Sequence, residues 1–343
     1  MPATRQPRLM TRPDDDSPAD ASSATARQPH ARRRTLLAGT AGLATAGALG
    51  LAYTDGGVPT DAFEPPEPDP DADPTLIAHR GFAGENPENT VAAAEAAAGR
   101  DVPSPRRADL VEVDVVPTAD GDVVVFHDDR LAGRAGGALG LTDAEGVVWE
   151  TGTATVTDAE VLGSDETVPL LEELLAAVPA NVGVNVELKN PGRADLRPGE
   201  KLSGEELADR AAVWRPFVER VVEVLDDHDN AILLSSFCEA ALAASREISS
   251  YPVAPILSGS VDDGLAIARE HDAEAVHPAI DLVRGTPFAD AGTKDIDLVE
   301  TAHAEGRDVN VWTVETWYEA RWLAAVGVDG IIADYAGLLE GPW

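Results

Sequence analysis

The chain has 343 residues, room for one large domain or two ordinary ones, and carries 61 acidic against 26 basic side chains, a formal net charge of −35. A field of that sign repels phosphate chains and argues against nucleic acid as a partner. The acids are spread along the whole chain rather than gathered in a tail. That is the pattern of adaptation to high salt, where screening shortens charge repulsion to about 3 Å at 1 M.

Residues 1–30 mix Pro, Ser, Asp and Arg without apolar periodicity and read as a disordered tail. Arg32-Arg33-Arg34-Thr35-Leu36-Leu37 then opens an uncharged Ala, Gly and Leu stretch ending at Thr54. Residues 31–54 thus predict a Tat-type export signal, or a membrane anchor over 35–54. The expected partners are the Tat export machinery and, if the segment stays, the membrane. The expected location is extracellular or on the outer face of the cytoplasmic membrane. Residues 55–74 form an acidic, Pro-rich linker.

From residue 75 to the end, short apolar runs alternate with amphipathic ones. Strands are predicted over 76–80, 110–116, 123–127, 182–188, 231–237, 252–257, 308–314 and 329–333. Helices are predicted over 90–98, 168–178, 204–227, 238–248, 261–271, 295–305 and 316–326, the third with the capping pattern Ser203-Gly204-Glu205-Glu206. Eight such units fit a somewhat irregular (β/α)₈ TIM-type barrel better than an open sheet. Two features break the pattern. Pro117 to Asp122 is too short for a helical crossover, and Ala275-Val276-His277-Pro278 is a strand-like piece without a place. Residues 129–167 and 191–201 read as insertions at a barrel end. Cys238, the lone cysteine, excludes an intrachain disulfide and reads as a packed apolar side chain.

The chemistry gathers at strand ends. Side chains two apart on a strand share a face, so Glu112 projects with Asp114, and Glu187 with Lys189. Three carboxylates crowded at one barrel mouth call for a cation between them, and oxygen-only ligation favours Mg²⁺ or Ca²⁺. His79 and His127, at the ends of predicted strands beside that site, suit a general acid/base pair. Arg80 offers a fork for phosphate oxygens and Lys189 a point charge. A phosphodiester needs this set: a cation, a base for the attacking hydroxyl and an acid for the leaving alkoxide. His30, His228, His271, His277 and His303 receive no role.

The series Ala78-His79-Arg80-Gly81, Pro87-Glu88-Asn89-Thr90, Val111-Glu112-Val113-Asp114-Val115, Phe126-His127-Asp128 and Val186-Glu187-Leu188-Lys189 resembles the glycerophosphodiester phosphodiesterase family. Ser235-Ser236-Phe237, Val311-Trp312-Thr313-Val314 and Val328-Asp329-Gly330-Ile331-Ile332-Ala333-Asp334 continue the likeness in the family's order. The resemblance implies a TIM-type barrel that hydrolyses glycerophosphodiesters to glycerol phosphate and an alcohol. It implies a divalent metal on Glu112, Asp114 and Glu187, acid/base roles for His79 and His127, and phosphate contacts from Arg80 and Lys189. Glu88 would brace Arg80 or the metal shell, and Trp312 would line the substrate pocket. Two alternatives stay open: a phospholipase D-like enzyme for lysophospholipids, with an apolar groove at Phe237 and Trp312, and a catalytically silent barrel that binds phosphate esters.

Overall fold

The computed structural model describes residues 74–99, 106–132, 141–290 and 296–339. The predicted tail, the export or anchor segment and all of the linker but Pro74 lie outside the described residues. Nine strands follow: β1 Thr75–Ala78, β2 Leu110–Pro117, β3 Val123–Val125, β4 Gly183–Leu188, β5 Ile232–Ser236, β6 Val253–Leu257, β7 Ala275–Pro278, β8 Asp308–Val314 and β9 Gly330–Ala333. All but β3 pair in parallel, in the cyclic order β1-β2-β4-β5-β6-β7-β8-β9, and β9 closes onto β1. The result is the eight-stranded TIM-type barrel, with helices between strands. These are α1 Val91–Ala98, α2 Thr153–Thr157, α3 Leu171–Ala177, α4 Gly204–Leu225, α5 Glu239–Ile248, α6 Val261–Glu270, α7 Leu298–Ala304 and α8 Trp317–Ala325.

The membership of the barrel differs from expectation at two places. Residues 123–127 were expected as a barrel strand; instead β3 runs antiparallel to β2, with Val115 opposite Val125 and Pro117 opposite Val123. The short link through Gly121 (φ +89°) makes a hairpin, because so few residues cannot carry a chain back for parallel pairing. The vacant barrel position is filled by Ala275-Val276-His277-Pro278. As β7 it pairs in parallel with β6 and β8.

Alternation along the barrel strands sorts side chains into two layers. Val111, Val113 and Val115 on β2, and Val184, Val186 and Leu188 on β4, join the core packed beneath the helices. The alternate residues face the barrel interior. There Ile77, Leu110 and Ile332 pack together with Trp312, and Leu233, Ala254 and Ala275 form a second apolar group. The 129–167 insertion has a core of its own: Val116, Val124, Phe126, Leu131, Val148 and Val156 are among its buried members. It hangs from the β2–β3 hairpin. At α4, Ser203 Oγ accepts the Glu206 N–H as its sequence predicts, without the reciprocal bond. The reciprocal pair occurs at α8, between Thr316 and Glu319.

Candidate active site

Glu112 and Asp114 face inward from β2, and Asn185 and Glu187 from β4. The parallel register sets Glu112 beside Asn185 and Asp114 beside Glu187. All three carboxylates are buried, and one oxygen from each lies within 4.8 Å of the others. Their environments drive them apart. Burial, reinforced by the charges of Asp114 and Glu187, lifts the Glu112 carboxyl well above the usual carboxylate range. Burial lifts Glu187 too, against the pull of Lys189. For Asp114 the same burial is outweighed by Arg80 and Lys189, which hold its carboxyl below that range.

A tight left-handed turn after β1 brings in the cation. Arg80, Gly81 and Phe82 all have positive φ, at 51°, 78° and 64°. A Cβ on Gly81 would sit 2.7 Å from Ala93 Cβ in α1, so the turn can close only on glycine. The turn points the Arg80 backbone N–H at Glu112 Oε2, 2.9 Å away. The guanidinium places Nε 3.1 Å from Asp114 Oδ2 and donates from NH1 to Glu88 Oε1 at 3.0 Å. Glu88 thus sits against the Arg80 guanidinium. Arg80, expected to offer its fork to phosphate, lines the cavity while its Nε and Nη1 face Asp114 and Glu88. Asn89 completes this corner, donating from Nδ2 to Asp114 Oδ2 at 2.8 Å and accepting the Asp114 N–H at 3.2 Å.

Lys189 lies across the mouth. Its Nζ is 2.7 Å from Glu187 Oε1, 3.6 Å from Asp114 Oδ1 and 5.3 Å from the centre of the Phe237 ring. Phe237 in turn meets Trp312 edge to face at 5.4 Å. The aromatic pair thus forms one wall, and the Trp312 indole is fixed by its N–H to the His277 carbonyl at 2.7 Å.

Each catalytic-type histidine leans on a carboxylate. His79 Nδ1 is 2.6 Å from Asp334 Oδ1, a residue that directly follows β9. His127 Nδ1 is 2.5 Å from its neighbour Asp128 Oδ1. A carboxylate only accepts, so both rings carry the proton on Nδ1 and keep Nε2 for exchange. Both line one cavity with Arg80, Glu112, Glu187 and Lys189. His127 reaches it from the antiparallel hairpin and not from a barrel strand.

The donor set fits a hard cation. Glu112, Asp114 and Glu187 offer only carboxylate oxygens, and the one cation that faces Asp114 Oδ1 and Glu187 Oε1 among the described residues is the Lys189 ammonium. Four residues enter the site to which the sequence reading gives no role: Asn89, within the Pro87-Glu88-Asn89-Thr90 motif, Asn185, His277 and Asp334. Asp334 closes a recognised motif and Asn185 stands two residues before Glu187, so both had a signal. His277 sits in the segment that had no place in the fold.

The sequence model of the Glycerophosphoryl diester phosphodiesterase family matches residues 79–338. The chain belongs to this family. A glycerophosphodiester phosphodiesterase of Bacillus altitudinis is 29% identical over 268 residues, covering 76% of this chain and 94% of the relative. A probable glycerophosphodiester phosphodiesterase of Mycobacterium tuberculosis is 30% identical over 296 residues, covering 84% and 95%. Among solved structures, an Oleispira antarctica phosphodiesterase in complex with the product sn-glycerol-3-phosphate superposes with a TM-score of 0.60 at 24% identity, covering 78% of this chain and 97% of that one. At that identity the likeness speaks for the fold. Family membership makes the chain a phosphoric diester hydrolase.

Proposed function

We propose that this member of the family hydrolyses glycerophosphodiesters to glycerol phosphate and an alcohol, with a divalent cation on Glu112, Asp114 and Glu187 and with His79 and His127 as acid and base. The observation that carries the reading is a cluster of three buried carboxylates, two of which, Glu112 and Glu187, line one cavity with the two carboxylate-tethered imidazoles. When bound, Mg²⁺ or Ca²⁺ would neutralise phosphate oxygens and lower the pKa of a hydroxyl held against it. One imidazole takes the proton from the glycerol hydroxyl next to the phosphate as its oxygen bonds to phosphorus. The other gives a proton to the departing alkoxide, which leaves as the alcohol. Water then opens the resulting cyclic phosphate with the two roles exchanged. Lys189 supplies a positive charge at the mouth for the phosphate. Arg80 acts chiefly by holding Asp114 and Glu88, and Phe237 and Trp312 wall the substrate.

Hydrolysis of glycerophosphocholine, with Mg²⁺ or Ca²⁺ and then with chelator, tests this. Activity with an ion and none with chelator is the expected result. A folded protein that is inert with every ion, or that is indifferent to chelator, refutes it.

The net charge of −35 and the Arg32-Arg33-Arg34 segment support a salt-adapted protein exported by the Tat route. That protein melts at a lower temperature in dilute buffer than in molar salt. Replacing Arg32, Arg33 and Arg34 by Lys keeps it inside the cell, and unchanged export would remove the Tat assignment.

A further inference from the structure

Two buried polar groups stand outside the chemistry assigned so far. Asn185 faces the barrel interior from β4, is 1% exposed, and its Oδ1 accepts no hydrogen bond among the described residues. His277, on β7, is also 1% exposed, and its Nδ1 has no hydrogen-bond partner among the described residues. Both side chains line the cavity that holds the acidic cage. Unpaired polar groups this deep cost stability and need an occupant to explain them.

The tautomer of His277 follows from its one partner. Asn310 Nδ2 lies 3.1 Å from His277 Nε2, and an amide NH₂ can only donate. Nε2 therefore accepts, and the proton sits on Nδ1. Burial lowers the pKa of this imidazole to about 3, so the ring is neutral at ordinary pH. His277 has no carboxylate partner of the kind that His79 and His127 have, and so is not built as an acid or base. It presents a fixed, uncharged N–H donor, while Asn185 presents an uncharged acceptor.

A neutral donor and a neutral acceptor on one cavity suit a group that takes one hydrogen bond and gives one. An alcohol hydroxyl does this; a phosphate oxygen only accepts, and is better served by Lys189 at the mouth. The glycerol of the proposed substrate carries two hydroxyls. The one beside the phosphate attacks phosphorus, which leaves the terminal primary hydroxyl to be recognised. We propose that His277 and Asn185 form a subsite for that free primary hydroxyl, so that the enzyme selects diesters whose glycerol is unacylated. This rests on the functional reading above and sharpens it. A lysophospholipid carries an acyl ester at the terminal position and has no hydroxyl there to donate to Asn185.

The test compares kcat/KM for glycerophosphocholine with that for the phosphocholine diester of propane-1,2-diol. The second lacks only the terminal hydroxyl and keeps the attacking one. The expected wild-type preference is about 10²-fold for glycerophosphocholine, because a site built to bond a hydroxyl is left unpaired by the analogue. In His277→Phe that ratio collapses toward unity whatever the absolute rates, and His277→Asn, which keeps an amide N–H, restores part of it. A wild-type ratio near unity overturns the proposal without any variant. So does a folded His277→Phe protein that keeps the wild-type ratio. Wild-type protein inert toward both diesters with every ion would remove the functional reading itself, and the subsite with it.

Discussion

Glu112→Gln separates what the acidic cage costs the fold from what it does for the metal. One oxygen of each cage residue lies within 4.8 Å of the others. Two unit charges at that separation repel by about 3.5 kcal/mol at an effective dielectric constant of about 20. Glu112 faces two such neighbours, offset by the Arg80 guanidinium and its backbone N–H. The net penalty is therefore on the order of one pair. Gln keeps an oxygen for the Arg80 N–H and loses the charge. The sign with pH follows from the raised carboxyl of folded Glu112. Its stabilising contribution is complete below the unfolded value of 4.5 and is lost as pH climbs toward the folded one. Glutamine has no such loss. In chelator the variant should melt above the wild type at neutral pH, by on the order of 7–14 °C at 2–4 °C per kcal/mol. The gap should narrow as pH falls toward 4.5. In Ca²⁺ or Mg²⁺ at about 1,000 times the wild-type Kd the order reverses, since the wild type there gains roughly 4.1 kcal/mol. Melting curves in chelator and in excess ion, at several pH values in high salt, give the answer. A Gln variant that is no more stable than wild type in chelator at neutral pH refutes the reasoning.

Arg80→Lys replaces a fork that spans Glu88 and Asp114 by a single ammonium, and kcat/KM should fall at least about tenfold with the fold intact. An unchanged value would show that the two carboxylates do not need a common clamp. Asp334→Asn keeps the shape beside His79 but removes the charge that orients its ring, so kcat should drop by about 10²-fold and the pH–rate profile should move. A profile superimposable on the wild type would detach Asp334 from catalysis. Gly81→Ala puts a methyl group at a left-handed position 2.7 Å from Ala93 Cβ. The expected loss is about 2–4 kcal/mol by chemical denaturation; a loss below about 1 kcal/mol would mean the turn can rearrange.

The barrel was readable because strands buried on both faces appear as continuous apolar runs, whatever the intervening loops do. Direction is not written in such a run. Val123-Val124-Val125-Phe126 looks the same in an antiparallel hairpin as in a barrel wall, and only the shortness of the link before it told against the wall. The segment that becomes β7 was legible as strand-like and lacked only a place, because 123–127 had been given a position in the barrel wall and left none for it. The acidic cage was legible from two-residue spacing alone. Its supports were not. Asp334 stands 255 residues from His79 and meets it only because β9 closes onto β1. The division of the Arg80 guanidinium between Glu88 and Asp114 depends on a positive φ that no periodicity announces.

The hairpin has a consequence for how the enzyme wears and adapts. His79 and the acidic cage sit on the barrel wall, whereas His127 follows the antiparallel β3, which packs through Val124 and Phe126 on an apolar cluster shared by Val116 of β2 and the 129–167 insertion. Sequence drift in that insertion, or its brief detachment on warming, can disable one proton carrier while ion uptake and the barrel stay whole. Catalysis thus has a lower breaking point than the molecule that houses it.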